Sequence, residues 1–302
     1  MEACRLCPRA CGVDRVKGQR GFCGADDTVH VARAALHRWE EPCLSGTHGA
    51  GTVFFSHCTL GCVYCQNRAI SRAQERGVPV SEKQLADIFL DLQRQGAHNI
   101  DLVTPGHYAP QIIRAIERAK ARGLAIPMVY NCGGYETRDT LRLLDGLIDV
   151  YLPDFKYYSS YYAARYSGAA DYFEVASDAV AEMVRQTGAP TFDADGLLTR
   201  GVLVRHLMLP GLAGDTAQVL RHLAERFGEK ILVSLMRQYT PFGMAETWPE
   251  LNRTITGEEY AEAVETFQSL GLAGYLQEGG AIGESFIPAW DGEGTNSISA
   301  AQ

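Results

Sequence analysis

Cys58, Cys62 and Cys65 fall within eight residues, in the run Ser56-His57-Cys58-Thr59-Leu60-Gly61-Cys62-Val63-Tyr64-Cys65-Gln66-Asn67. Thiolates are soft ligands suited to the iron of iron–sulfur clusters. A cubane cluster has four iron corners, so three ligands from one short loop leave one corner open. An open coordination position can take a substrate or cofactor directly, as the open site of catalytic zinc does. A closed structural zinc site would need a fourth ligand, and only His57 lies next to the loop.

A second thiol group precedes it. Cys4, Cys7, Cys11 and Cys23 stand in Cys-Arg-Leu-Cys-Pro-Arg-Ala-Cys and Gly-Phe-Cys-Gly. Four thiolates close a site, and closed sites hold structural zinc or an electron-transfer iron–sulfur cluster. The spacing matches neither a paired C-x-x-C zinc site nor a plain ferredoxin, so both metals stay open. Structurally, a short segment with little core of its own gains folding free energy from a bound metal. Functionally, such a site is an electron relay or a partner-docking element. Cys43 and Cys132 are isolated and read as small buried hydrophobes.

These groups need a scaffold, and one is legible. From Thr52 onward, β-branched runs alternate with helical patterns, as in βα units around a parallel sheet. Strands are expected at 52–56, 99–103, 126–130, 147–152, 201–209 and 230–235, with a last strand near Tyr275. Ser81 with Gln84, Asp215 with Gln218, and Thr256 with Glu259 have capping-box spacing and mark helix starts. After the first, Leu85, Ile88, Phe89 and Leu92 recur on one helical face that can pack on a sheet. Six such units predict an incomplete (β/α)6 barrel over 51–290, preceded by a cysteine-rich metal-binding extension at 1–50. The tail 291–302 is rich in Gly, Ser and Ala and is expected to be disordered.

Active sites of parallel sheets lie at the carboxyl ends of strands, where the Cys58 loop falls. Other strand ends add candidates. Thr104-Pro105-Gly106-His107 ends the second strand; Thr104 and His107 offer hydrogen bonds, and Gly106 lets backbone approach a ligand. Asn131 follows the third. Asp154 and Lys156 end the fourth, one suited to an ammonium group and the other to a carboxylate; the plainer reading is an ion pair. Arg205 lies in so apolar a strand that it must face a polar centre, whereas its neighbour His206 can be a satisfied core histidine. Gln238 and Tyr239, just past the sixth strand, are candidate substrate contacts.

The chain has 302 residues, 46% of them hydrophobic, enough for one large α/β domain. No apolar run approaches bilayer-spanning length, and most of the nine cysteines have ligand-like spacings that suit a reducing compartment, so a cytoplasmic location is expected. A formal net charge of −8 disfavours nucleic acid bound through a broad basic surface.

The C-x-x-x-C-x-x-C loop, with Tyr64 before its last cysteine, resembles the signature of the radical S-adenosylmethionine (SAM) superfamily. Cys-Arg-Leu-Cys-Pro-Arg-Ala-Cys, Phe54-Phe55-Ser56, Leu-Val-Thr-Pro-Gly-His, Tyr-Leu-Pro-Asp-Phe-Lys and Arg-His-Leu-Met-Leu-Pro-Gly resemble homologues of pyruvate formate-lyase activating enzyme across nearly the whole chain. The resemblance implies a partial barrel, a [4Fe-4S] cluster on Cys58, Cys62 and Cys65, and bound SAM with Tyr64 by its adenine and Asp154 and Lys156 near it; Thr104, Gly106 and Asn131 are the strand-end candidates to bind the same cofactor. It further implies an oxidoreductase that forms a 5′-deoxyadenosyl radical, with a reductant such as flavodoxin or ferredoxin. Activating enzymes carry Gly-Gly-Glu at the second strand end, where this chain has Thr104-Pro105-Gly106-His107. Gly133-Gly134-Tyr135-Glu136 falls after the third strand and is set aside as a decoy, and the ferredoxin-like insert of some activases is absent after Cys65.

The expected function is therefore reductive cleavage of SAM and hydrogen abstraction from a substrate the sequence does not name. Activation of a glycyl radical in a partner protein is the alternative of the same class. Noncatalytic electron transfer or scaffolding by iron–sulfur clusters is the alternative of another class, followed by a zinc-binding interaction module.

Overall fold

A computed structural model describes residues 2–72, 77–241, 247–277, 290 and 292–295. Its sheet begins before the βα pattern does. Strand β1 (Val29–His37) runs antiparallel to β2 (Ala50–Phe55) on one side and to β3 (Val78–Val80) on the other. Beyond β2 the neighbours are parallel, in the order β4 (Ile100–Val103), β5 (Met128–Cys132), β6 (Val150–Pro153), β8 (Leu198–Leu207), β9 (Leu232–Met236) and β10 (Gly274–Leu276). A two-residue strand, β7 (Thr191–Phe192), pairs antiparallel with β8. The seven expected parallel strands are all present. Among the described residues the two sheet edges, β10 and β3, do not pair, so the barrel is open.

Strand residues alternate between two environments, as the period of two requires. Met128, Tyr130 and Cys132, with Val202 and Val204, turn outward into the main core shared with the helices. Val129, Leu152, Leu203 and Leu232 face inward, where they meet Cys43 and Leu44. These two come from α1 (Pro42–Ser45), a single turn between β1 and β2 that plugs the barrel base. Leu44 is fully buried, which contributes about 2 kcal/mol by area. Part of the 1–50 extension is thus a strand and a plug.

Helices α2 (Arg68–Ser71), α3 (Glu82–Arg94), α4 (Ala109–Lys120), α5 (Arg138–Arg142), α6 (Ser160–Ser167), α7 (Tyr172–Thr187), α8 (Ala213–Phe227) and α9 (Gly257–Ser269) follow their strands. Ser81 and Thr256 form complete capping boxes at α3 and α9. Asp215 does not cap α8, which starts two residues earlier at Ala213. Its carboxylate instead accepts the backbone N–H groups of Tyr158 and Ser159, at 3.0 and 2.8 Å, and so secures the start of α6. Within the tail, residues 292–295 form a turn; the Glu293 carbonyl accepts Ala34 N–H at 2.9 Å and its carboxylate pairs with Arg33. Residues 291 and 296–302 lie outside the described residues.

Candidate active site

The three-thiol loop leaves the carboxyl end of β2. At His57 the backbone turns back through a left-handed φ of 76°, and His57 N–H donates to Ile70 C=O at 2.8 Å, closing the loop at its base. Arg72 grips Leu60 C=O through Nε and Nη2, at 3.1 and 2.7 Å, and Val63 N–H donates to Tyr166 C=O in α6 at 2.9 Å. Each thiol has its own polar neighbour. Leu60 N–H donates to Cys58 Sγ at 3.4 Å, Ser167 Oγ–H to Cys62 Sγ at 2.9 Å, and Ser71 Oγ lies 3.4 Å from Cys65 Sγ.

This donor set fits a metal cluster. Without a cation two of the sulfurs resist ionisation: burial, then repulsion from Cys65 and Cys62, pushes Cys58 up to about 12, and burial raises Cys65. A bound metal deprotonates thiols outright, and the three hydrogen bonds suit the thiolates that result. Among the described residues no three His, Cys, Asp or Glu side chains converge on one ion position. A cluster, which offers a separate iron to each sulfur, suits thiols spread along a loop.

Inside the barrel, above the apolar base, lies a polar layer. Arg205 of β8 donates from Nε to Asp154 Oδ1 at 3.1 Å, from Nη1 to Glu40 Oε2 at 3.2 Å and from Nη2 to Asn131 Oδ1 at 2.5 Å. Asn131 in turn donates to Asp101 of β4 at 3.2 Å. Lys156 Nζ meets the other Asp154 oxygen at 2.6 Å. Burial alone would lift Asp154, but Lys156 and Arg205 hold it below its usual range. Burial raises Glu40, Glu41 and Asp101, which crowd one another around Arg205. Asp154 and Lys156 keep 22% and 15% of their side-chain exposure, so this rim of the layer is the part a ligand can reach.

Gly134 makes the rim possible. Its φ is +77°, and a Cβ there would stand 2.2 Å from Asp154 C=O. The Tyr172 hydroxyl bridges the same strand ends, 2.9 Å from both Gly133 O and Asp154 O.

Thr104 takes a left-handed φ of 60° and donates its N–H to Asn131 C=O at 2.8 Å. Gly106 is buried against a carboxyl supplied by the segment set aside as a decoy: a Cβ on Gly106 would lie 2.5 Å from Glu136 Oε2. Burial pushes Glu136 up to about 8, and it accepts a hydrogen bond from the Tyr130 hydroxyl at 3.4 Å. An acidic group therefore does stand at the second strand end, delivered by the third.

Other candidates have structural partners. His107 is buried behind the loop, Nε2 lying 2.8 Å from Ser56 O, with desolvation holding its ring at about 3. His206 faces outward, where Phe155 O and Thr216 Oγ1 engage both ring nitrogens at 2.7 and 2.9 Å. Tyr64 is packed edge-on between Tyr157 and Tyr239, and its hydroxyl lies 2.7 Å from that of Tyr157. Tyr239 bonds Leu251 C=O at 2.8 Å, and Gln238 is paired with Gln277 at 2.6 Å, tying the ends of β9 and β10. Glu40, Glu41, Asp101 and Ser167 were not singled out from the sequence, and Glu136 was set aside with its segment. Asp101 carried the signal that marked Arg205, a charge inside an apolar strand; Ser167 carried none.

An open parallel barrel whose first parallel strand runs into a three-thiol loop defines a class of cluster-bearing α/β proteins. Residues 52–223 match the model of the Radical SAM superfamily, and the chain belongs to that superfamily. An uncharacterised protein of Methanocaldococcus jannaschii is 28% identical over 275 residues, which cover 89% of this chain and 75% of its own. Methylornithine synthase aligns with a TM-score of 0.51 at 13% identity, covering 80% of this chain and 77% of that one. A domain of pyruvate-formate lyase-activating enzyme from Bacteroides vulgatus aligns at 0.40 and 12% identity, covering 57% of this chain and 92% of its own. The likeness to methylornithine synthase concerns fold alone. Superfamily membership implies an enzyme that uses a [4Fe-4S] cluster and SAM. No helix among the described residues is long and apolar enough to cross a membrane.

Proposed function

We propose that this chain is an activating-enzyme-like radical SAM oxidoreductase whose cluster is held by Cys58, Cys62 and Cys65. The observation that carries this reading is the three-thiol loop at the end of β2, with a polar group at each sulfur. When bound, the cluster and SAM supply one-electron cleavage of the sulfonium to methionine and a 5′-deoxyadenosyl radical that abstracts hydrogen from a substrate. Asp154 offers a carboxylate to the ammonium group of SAM and Lys156 a cation to its carboxylate. Thr104, Gly106 and Asn131 line the adjoining strand ends, and Arg205 fixes the orientation of Asp154 and Asn131 from below. Tyr64, held by Tyr157 and Tyr239, walls the site beside the loop.

The test is anaerobic reconstitution followed by reductant and SAM, with 5′-deoxyadenosine as the product. A fully assembled, reducible cluster that yields none would overturn the reading. Cys62→Ala should abolish cleavage. The alternative of the same class is a glycyl radical formed in a partner protein; electron paramagnetic resonance of a candidate partner should then show a protein-borne radical, and its absence removes that substrate class.

A further inference from the structure

We infer that Cys4, Cys7, Cys11 and Cys23 hold a second, fully ligated iron–sulfur cluster that passes electrons to the cluster on Cys58, Cys62 and Cys65. The inference rests on the reading of that first cluster given above.

The fold gathers the four thiols. Cys4 is held by backbone bonds in both directions, its N–H to Val13 C=O and its C=O from Gly12 N–H, each 3.0 Å, while Ala10 N–H closes a turn on Cys7 C=O at 3.0 Å. The Cys11 side chain lies directly on Gly21, where a Cβ would come within 2.2 Å of its sulfur, and this brings it beside the turn that carries Cys23. Gly24 N–H closes that turn on Gly21 C=O at 3.1 Å. Like the thiols of the 58–65 loop, the four thiols do not converge on a single ion position. A cluster offers each of these sulfurs its own iron corner. Among the described residues only Ala10, His57 and Thr104 are non-glycine residues with positive φ, at 40°, 76° and 60°. Two lie within or beside the two thiol groups, where strain is held in place by the surrounding contacts.

The second group is fastened to the first loop. Arg9, between Cys7 and Cys11, donates from Nε to Thr59 C=O at 3.1 Å and from Nη1 to Gly168 C=O at 2.5 Å. Arg72 returns the clasp, from Nη1 to Phe22 C=O at 3.0 Å. Both guanidinium groups stack on the Phe22 ring, 3.8 and 4.2 Å from its centroid. Gly24, next to Cys23, packs on the ring of His57, next to Cys58; a Cβ there would sit 3.4 Å from Nδ1. The contact path Cys23–Gly24–His57–Cys58 therefore joins the two thiol groups through one short non-bonded step.

Polarity gives the path a direction. Cys11 is exposed, whereas Cys4 and Cys7 are buried. The exposed Cys11 side is where an electron enters from a one-electron carrier of the flavodoxin or ferredoxin class. One electron moves from the carrier to the outer cluster and then to the inner one, and no bond forms or breaks in either transfer.

The test uses the full chain, reconstituted without air. Wild type should contain about eight irons and eight sulfides, and a chain with the Cys58, Cys62 and Cys65 side chains changed to Ala about four. Cys4→Ser with Cys23→Ser should also retain about four, keep the cluster that responds to SAM, and lose reduction by flavodoxin while dithionite still reduces it. Electron paramagnetic resonance of the reduced wild type should show spin–spin broadening that disappears in either variant. About four irons in wild type, with or without a bound zinc, would overturn the second cluster, as would equal reduction of the double variant by flavodoxin. The wild-type count and spectrum do not depend on a variant folding. If the triple alanine variant lost no iron, the first cluster reading would fail instead.

Discussion

The hydroxyl of Ser167, the last residue of α6, stands 2.9 Å from Cys62 Sγ, while the Tyr157 hydroxyl lies 2.7 Å from the same Ser167 oxygen. A metal-bound thiolate only accepts, so Ser167 donates to sulfur. Hydrogen bonds to ligand sulfur stabilise the more negative, reduced cluster. Ser167→Ala should leave iron content unchanged and lower the cluster's midpoint potential, followed by redox titration with paramagnetic resonance; Ser167→Thr should restore it. An unchanged potential in the alanine variant would remove Ser167 from this role.

Arg205 is the shared cation of Asp154 and Glu40. Arg205→Met strands both carboxylates in a largely buried layer, and breaking such a pair costs about 3–5 kcal/mol. The urea midpoint should fall accordingly. Arg205→Lys should recover only part of the loss, because an ammonium cannot make the three-way fork.

Desolvation lowers His206 to about 4, against an ordinary 6.5, so the folded ring stays neutral. Between those values the unfolded chain binds the extra proton. Its contribution to stability is full above pH 6.5 and is lost as pH falls toward 4, up to about 3 kcal/mol over the window. His206→Gln should flatten the decline in urea midpoint between pH 7 and pH 5. An equally steep decline would assign it to other groups.

Gly134→Ala adds a Cβ 2.2 Å from Asp154 C=O at a φ of +77°. Strain of about 1–3 kcal/mol must displace the Asp154–Lys156 rim. SAM affinity, measured by calorimetry on cluster-loaded protein, should drop about tenfold or more, with iron content unchanged. Wild-type affinity would place the rim away from the cofactor.

Much of this was legible in the chain because it depends on neighbours in sequence. The cysteine spacings, the alternation of β-branched runs with amphipathic helices, and the capping boxes of Ser81 and Thr256 are local patterns. Burial of a charge within an apolar strand is local too, which is why Arg205 could be assigned a polar centre before its partners were known. The strand β1 was missed because its Val29–His37 run sits in the cysteine-rich stretch and pairs with residues on both sides of the cluster loop.

The sequence by itself determined which thiols we propose as metal ligands and the parallel strands whose ends present them. Only the tertiary structure decided which distant groups meet there, because strand pairing and helix packing bring together residues that no spacing relates. It placed Glu136 of the third strand end against Gly106 of the second, turned Asp215 from its own helix to α6, and set Ser167 on Cys62 across an intervening 105 positions. It also folded the first cysteines against the loop of the second group, through two arginines on the faces of Phe22.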